Sequence, residues 1–415
     1  MLRQRKKTRV LGRGRLAAIH EDMNTTMLPS WVSRAPSNAG SSTHGKFSAD
    51  QWRTWCTIHL VITLIRLWGC LPEQSREFQM LANFMDLVSA TKLATMRSMT
   101  VDREDQFYEF MMNYLRRLKI LFPGVRLKPN DHFSVHLPTF LKRFGPSHAW
   151  RSFAFERWNY MLQQIKTNGR FGDMEKTMYE RFCMGQKLRQ IMHRNRLGEE
   201  LQHLLPAYSR VSSGDVRGTF LNDMLAMEET SSSISDITPP DQSEVPIPDD
   251  ILRLLVPQLS VTDAAGRKRA PRKSYVRRMQ IRMRGVLFHT FSSAPRDSFV
   301  AIGTSGMDDW RPARIASIIQ HTQVLSRVPE TTTVFFLVQT FKPLSEEDAA
   351  HDPYRRFPIA GGRLYYDRME ETSLLVPVKD VICHIAMTPM RWEGIEESCI
   401  HALPIDRVRH SCLYH

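Results

Sequence analysis

Apolar side chains recur at three- and four-residue spacing through Phe107, Phe110, Met111, Tyr114, Leu115, Leu118, Leu121 and Phe122, and Pro123-Gly124 follows. That spacing predicts an amphipathic helix with a wide apolar face, stopped where proline cannot continue it. Similar faces run through Phe155, Trp158, Leu162 and Ile165, closed by Asn168-Gly169, and through Met174, Met178, Phe182, Leu188 and Met192. The start of the helical region is legible as well. In Phe47-Ser48-Ala49-Asp50-Gln51-Trp52 the serine can accept from the Gln51 amide, the glutamine can reach back to the Ser48 amide, and Phe47 can staple onto Trp52. Residues 47–202 therefore read as an α-helical domain.

The period then changes. Gly285 to Phe291, Ser298 to Ile302, Thr331 to Phe341, Arg363 to Tyr366 and Ser373 to Val378 are short runs rich in β-branched and aromatic residues, separated by Pro, Gly and Asp. Strands so spaced predict a small β-barrel over residues 272–409, with a tail at 410–415. The fold class expected is α+β, with a helical domain followed by a barrel-like one.

Charge divides the rest. Residues 1–15 hold seven basic side chains and no acid, and Pro29 to Thr43 is rich in Ser, Gly, Asn and Pro, so 1–46 reads as a basic, flexible arm. Between Thr219 and Leu252 stand eight acids and no Lys or Arg, which predicts a disordered acidic linker across 203–271 that ends in a basic run. Gly266 to Arg284 reverses the sign, with nine Lys or Arg and no acid. Over all 415 residues the formal charge is +14, an excess that points to a polyanionic partner, nucleic acid first.

Hydrophobic residues make up 42% of the chain, which excludes wholesale disorder. Six scattered cysteines form no C-x-x-C pair and no disulfide framework, which suits a reducing compartment. The longest apolar run, Ile58 to Leu71, is interrupted by Arg66 and falls short of the ~20 residues of a bilayer span. No apolar segment follows the basic N-terminus, so neither a membrane anchor nor secretion is expected.

An ordered series of motifs resembles the C-terminal part of CACTA (En/Spm-type) DNA transposases of the fungal form. The pieces are Thr26-Met-Leu-Pro-Ser-Trp-Val32, His44-Gly-Lys-Phe-Ser-Ala-Asp-Gln-Trp-Arg53, Lys128-Pro-Asn-Asp-His132, Phe144-Gly-Pro146, Phe155-Glu-Arg-Trp-Asn159 and Thr167-Asn168. The similarity covers roughly residues 20 to 200, and more loosely the β-rich tail. It implies an RNase H-like nuclease in the full-length protein, in which three acids hold two Mg or Mn ions across an in-line phosphoryl displacement. The resemblance places Glu156 as the third acid and leaves the first two without a counterpart, so no metal is expected on this chain alone. Cys56-Thr-Ile-His59 looks like the Cys-x-x-His pair of related transposases, although two ligands at i and i+3 do not close a zinc site.

The basic run Arg267, Lys268, Arg269, Arg272 and Lys273, with Arg277 and Arg278, has the density of a nuclear import signal and of a phosphate-binding strip. Lys187 and Arg194 offer a second cationic face, opposite the Met/Phe stripe of their helix. Trp310, Tyr365 and Tyr366 could line an aromatic cage in the barrel, with core packing as the plainer reading. His132 and His136 have no Cys or carboxylate at ligand spacing. The expectation is a nuclear, transposase-derived DNA-binding chain that does not cut by itself, with DNA and other transposase chains as partners and no small-molecule substrate. The alternatives are a truncated reading of an active two-metal enzyme, and a host-recruited chromatin or protein-interaction module.

Overall fold

The computed structural model describes residues 10–41, 45–96, 98–147, 150, 159, 162–163, 165–167, 169–193, 244–259, 261–262, 268–269, 273–283, 286–303, 310–325 and 328–405. The chain forms two compact units, one of Met1–Ala149 with Ile234–His415, the other Trp150–Ser233. Helices, numbered in chain order, are α1 (Arg13–Thr25), α2 (Ala49–Thr54), α3 (Leu60–Trp68), α4 (Arg76–Ala94), α5 (Val101–Leu121), α6 (Pro129–Ser134), α7 (Leu137–Phe144), α8 (Asp173–His193), α9 (Asp249–Leu255) and α10 (Glu346–Ala350). Helix α8 belongs to the smaller unit.

The helix start at Ser48 forms as its sequence predicts. Gln51 N–H donates to Ser48 Oγ at 3.2 Å, Ser48 N–H donates to Gln51 Oε1 at 2.9 Å, and Phe47 meets Trp52 edge-on with ring centroids 4.7 Å apart. Helix α2 runs into α3 through one π-helical turn, Trp55–His59, and the wider turn buries Trp55, Ile58 and His59. Helices α4 and α5 are fastened by Asn83 donating to the Tyr114 carbonyl at 2.8 Å and by Arg117 on Asp86 at 2.8 Å. Helix α5 ends at Leu121, where Pro123-Gly124 predicts its stop.

Strands are β1 (Val245–Pro246), β2 (Val261–Thr262), β3 (Lys268–Arg269), β4 (Ser274–Arg278), β5 (Gln280–Met283), β6 (Val286–His289), β7 (Phe299–Ile302), β8 (Arg311–Leu325), β9 (Val328–Pro343), β10 (Arg363–Pro377), β11 (Val381–Met390) and β12 (Cys399–Pro404). Six of them close an antiparallel barrel in the order β8-β7-β11-β12-β10-β9, with β8 paired back to β9. Strand β4 adds to β8 and β1 to β4, while β2–β3 and β5–β6 are separate two-stranded pairs. The long strands bend at register shifts, between Ile315 and Ser317 in β8 and on both sides of Met369 in β10, which supplies the curvature that closure needs.

Several expectations require correction. Residues 13–41 are not a free arm: α1 and the segment after it bury Ile19, Met23, Leu28, Val32, Ala35 and Ala39, because these apolar side chains outweigh the polar composition around them. Part of the expected acidic linker is folded, since Ile247, Ile251 and Leu255 pack with Ile319, Phe335 and Leu375 under the sheet. The two expected strands at 363–366 and 373–378 are one, β10, whose polar middle stays exposed or half-buried. Strands β11 and β12 escape a period-2 reading because nearly all of their residues are buried on both faces.

The division between helices and barrel also changes. One core cluster contains Leu28, Ile62, Ile65 and Leu81 from the helical side together with Tyr354, Leu364, Tyr366, Cys399 and Leu403 from the barrel side. The Tyr354 hydroxyl donates to the Ile62 carbonyl in α3 at 2.9 Å. At Gly69 a side chain would press on Pro353, its Cβ lying 2.8 Å away. Gly362, at φ 78°, would drive a Cβ into the Ala402 carbonyl oxygen.

A second set of bonds ties residues 26–31 to the barrel. Met27 and Met387 exchange two backbone bonds of 2.8 and 3.0 Å, Thr26 Oγ1 meets Thr388 Oγ1 at 2.9 Å, and Ser30 N–H donates to Asp297 Oδ1 at 2.7 Å. Trp31 Nε1 can only donate, and it reaches His384 Nδ1 at 3.3 Å, so Nε2 carries the ring proton and donates to the Asp297 carbonyl at 3.1 Å.

A shared core predicts shared unfolding. The α-helical signal and the near-ultraviolet signal of buried aromatics should disappear with coincident midpoints in urea, and a separate helical transition within residues 13–144 would contradict one cooperative unit. Tyr354→Phe, which leaves the Ile62 carbonyl without this donor, should lower stability by about 1–2 kcal/mol in the same titration.

Candidate nucleic-acid interface

The surface that stands apart from the rest is the end of α5 with α6 and α7. From Leu115 to Phe144 the chain has seven Lys or Arg and one acid, Asp131. All seven cations are exposed. Asp131 is occupied locally, its carboxylate accepting from the Lys128 N–H at 2.7 Å to cap α6 behind Pro129. Arg117 is held by Asp86. Among the described residues, Arg116, Lys119, Arg126, Lys128, Lys142 and Arg143 form no ion pair.

Helix α7 explains how the charges are displayed. Leu141 is 1% exposed and anchors the helix, so Lys142 and Arg143 project outward. Phe140 and Phe144, one turn apart, lie 43% and 58% exposed with ring centroids 6.2 Å apart and planes 29° from parallel. Phe133 in α6 is 62% exposed. His132 and His136 face each other, Nε2 to Nε2, at 3.3 Å. The arrangement offers positive charge and aromatic faces to solvent together.

The residues singled out in the sequence are only partly among the described ones. Glu156 and Arg194 lie outside the described residues, as do Arg267 and Arg272 of the basic run. Lys187 is exposed on α8, in the smaller unit. Lys268 and Arg269 form β3, paired with β2. Lys273 and Arg277 are exposed at β4, but Arg278 is 7% exposed and donates through Nε to Gln320 Oε1 at 3.1 Å. The alternation of a strand explains the difference between Arg277 and Arg278: consecutive side chains point to opposite faces, so these two do not share one surface.

Cys56 and His59 are packing residues of the π turn. Burial pushes the Cys56 thiol up to about 11 and lowers His59 to about 4, the nearby Arg34 charge adding to the latter. Neither ring nitrogen of His59 meets a hydrogen-bond partner, and Thr63 Oγ1 one turn on is likewise bare. Among the described residues no three His, Cys, Asp or Glu side chains gather as a metal would require. Trp310, Tyr365 and Tyr366 are all buried, and Tyr365 and Tyr366 join different core clusters because they leave opposite faces of β10. No helix of the described residues is long and apolar enough to cross a membrane.

Composition alone does not pick out the cationic aromatic end. Its signal lies in the spacing of Phe133, Phe140 and Phe144 among Lys and Arg, but which rings face solvent is decided by how α7 rests on α5. No protein-family model, no curated protein and no solved structure matches the chain.

Three buried histidines make stability depend on pH. Burial holds His59, His384 and His401 near 4, below their ordinary value of 6.5. The unfolded chain therefore binds more protons than the folded one between these limits, so stability is full above about pH 6.5 and falls as pH drops toward 4. Each histidine contributes a slope of about 1.4 kcal/mol per pH unit in that window. His401→Gln keeps a donor for the Gly361 carbonyl, met by Nε2 at 2.7 Å in the native protein, and should reduce the slope of urea stability against pH by one proton.

Proposed function

We propose that the chain is a CACTA transposase-derived nuclear protein that binds DNA and, by itself, does not cut it. The observation that carries the binding half is the set of exposed cations between the end of α5 and the end of α7 that, among the described residues, form no ion pair. Folding gains nothing from crowding like charges on one surface, whereas phosphates would neutralise them and release counterions. The ordered motifs and the +14 formal charge support the family half. Lys273, Arg277 and Lys187 are exposed and remain secondary contacts in this reading, and Arg278 leaves the set because its guanidinium is buried against Gln320.

The non-cutting half rests on metal chemistry. Two ions of Mg or Mn need three carboxylates, and the motifs identify one, Glu156. A partner transposase chain bearing the other two acids would complete the set. Incubation with Mg or Mn and end-labelled transposon-terminus DNA should leave the strands intact, and nicking that disappears in Glu156→Gln would replace this reading by an active enzyme. The host-recruited interaction module is less favoured, because the aromatic residues that would form its cage are buried.

Binding should weaken steeply with salt. Arg126, Lys128, Lys142 and Arg143 changed together to Ala should flatten the log–log salt dependence of duplex binding by about 0.9 for each phosphate that is no longer neutralised. The Arg267, Lys268, Arg269, Arg272 and Lys273 variant should flatten it less, and should shift a tagged protein out of nuclei. Equal anisotropy curves for the α6–α7 variant and the parent from low to physiological salt would remove this surface from the interface.

A further inference from the structure

We propose that the acidic stretch 234–250 is an intramolecular competitor for the basic run 266–284, occupying its cations until a nucleic acid displaces it; this rests on the DNA-binding reading above and adds its regulation. Residues 234–250 carry Asp236, Asp241, Glu244, Asp249 and Asp250 with no Lys or Arg, whereas 266–284 carry nine Lys or Arg and no acid. Both stretches belong to the larger unit, and the fold joins them. Strand β1 pairs antiparallel with β4, Val245 opposite Tyr275 and Pro246 opposite Ser274, and the Ile247 N–H donates to the Lys273 carbonyl at 2.9 Å. Glu244, exposed just before β1, accepts from the Ser274 hydroxyl at 2.9 Å. An acid of the first stretch is thus held against the strand that displays Lys273 and Arg277 to solvent. Ile251 and Leu255, packed with Ile319 and Phe335, anchor the chain that follows β1.

Tethering turns this contact into competition. Asp241 stands three residues before Glu244, and three residues span at most about 11 Å, close to the ~10 Å Debye length at 0.1 M salt. A carboxylate so tied acts at an effective concentration on the order of millimolar. Crowded cations repel one another, and the acids offset that repulsion in the unbound chain. A duplex, with one phosphate per ~1.7 Å of axis, brings a denser array of charge and takes the cations over.

The test uses the full chain in two arms. In the first, a carbodiimide joins carboxylates to lysines that touch them, and mass spectrometry reads the products. Amide cross-links from Asp241 or Glu244 to Lys268 or Lys273 are expected at low salt and should be lost at about 1 M, where the Debye length is ~3 Å. Their absence at low salt overturns the proposal whatever the chain binds. In the second, Asp236→Asn, Asp241→Asn, Glu244→Gln, Asp249→Asn and Asp250→Asn are combined and duplex binding is followed by fluorescence anisotropy. Affinity at about 50 mM salt should rise about tenfold, and the log–log salt dependence should steepen by about 0.9 for each cation released to a phosphate. The gain should vanish when Arg267, Lys268, Arg269, Arg272 and Lys273 are also Ala, because the cycle isolates the coupling between the two sets. A gain that persists in that background reflects net charge alone and overturns the proposal. If the parent binds duplex and the neutralised variant binds no tighter, the competition falls and DNA binding stands. If cross-links form but neither chain binds duplex at low salt, the DNA-binding reading falls and the competition with it.

Discussion

Burial of Tyr354 holds the larger unit together. It sits in the loop between β9 and β10, and its ring packs against His401 with centroids 4.0 Å apart while its hydroxyl reaches the Ile62 carbonyl inside α3. The loop is shaped to deliver it. Asp352 accepts from the Tyr354 and Leu364 N–H groups at 2.9 and 3.0 Å, Arg356 donates to the Gly69 carbonyl at 3.1 Å and lies 4.3 Å over the Phe78 ring, and Gly69 and Gly362 leave room where a Cβ would collide. The core it joins is common to both sides, with Ile62, Ile65 and Leu81 from the helices and Leu364, Tyr366 and Leu403 from the barrel.

The segment Thr26 to Trp31 does the same work from the other direction. It pairs with β11 at Met387, past the end of the β7 pairing at His384, and so covers a strand edge that would otherwise be open. The hydrogen-bond chain Trp31, His384, Asp297 satisfies each buried polar group through the next, with the imidazole held neutral between a donor and an acceptor. Acid breaks this chain because a protonated ring has no acceptor for Trp31.

The same motifs that carry the family resemblance carry these structural tasks. Thr26 to Val32 is the strap, Ser48 and Gln51 are the cap of α2, and Lys128 to His132 is the start of α6. Conformational roles therefore account for much of the ordered series. What they leave over is the outer surface of α6 and α7, where exposed cations and exposed phenylalanines lie close in sequence.

Local chemistry was readable wherever neighbours in the chain decide the outcome. The Ser48 capping box, the stop of α5 before Pro123 and the amphipathic run from Phe107 all follow from side chains a few positions apart, and the α+β class with a barrel follows from the change of period. What composition obscured was long-range. Residues 13–41 look like an arm because Ser, Asn, Gly and Pro punctuate them, yet Ile19 and Leu28 find partners hundreds of residues away in sequence and close in space. Arg277 and Arg278 are adjacent letters with opposite fates, since pairing of β4 with β8 turns one to solvent and the other onto Gln320. Likewise Phe140 and Leu141 are equivalent apolar letters until the packing of α7 buries one and exposes the other. Sequence alone determined the charges and those elements whose signals lie a few positions apart; tertiary structure decided α1, β11, β12 and which faces touch, because burial depends on partners that only the folded chain brings together.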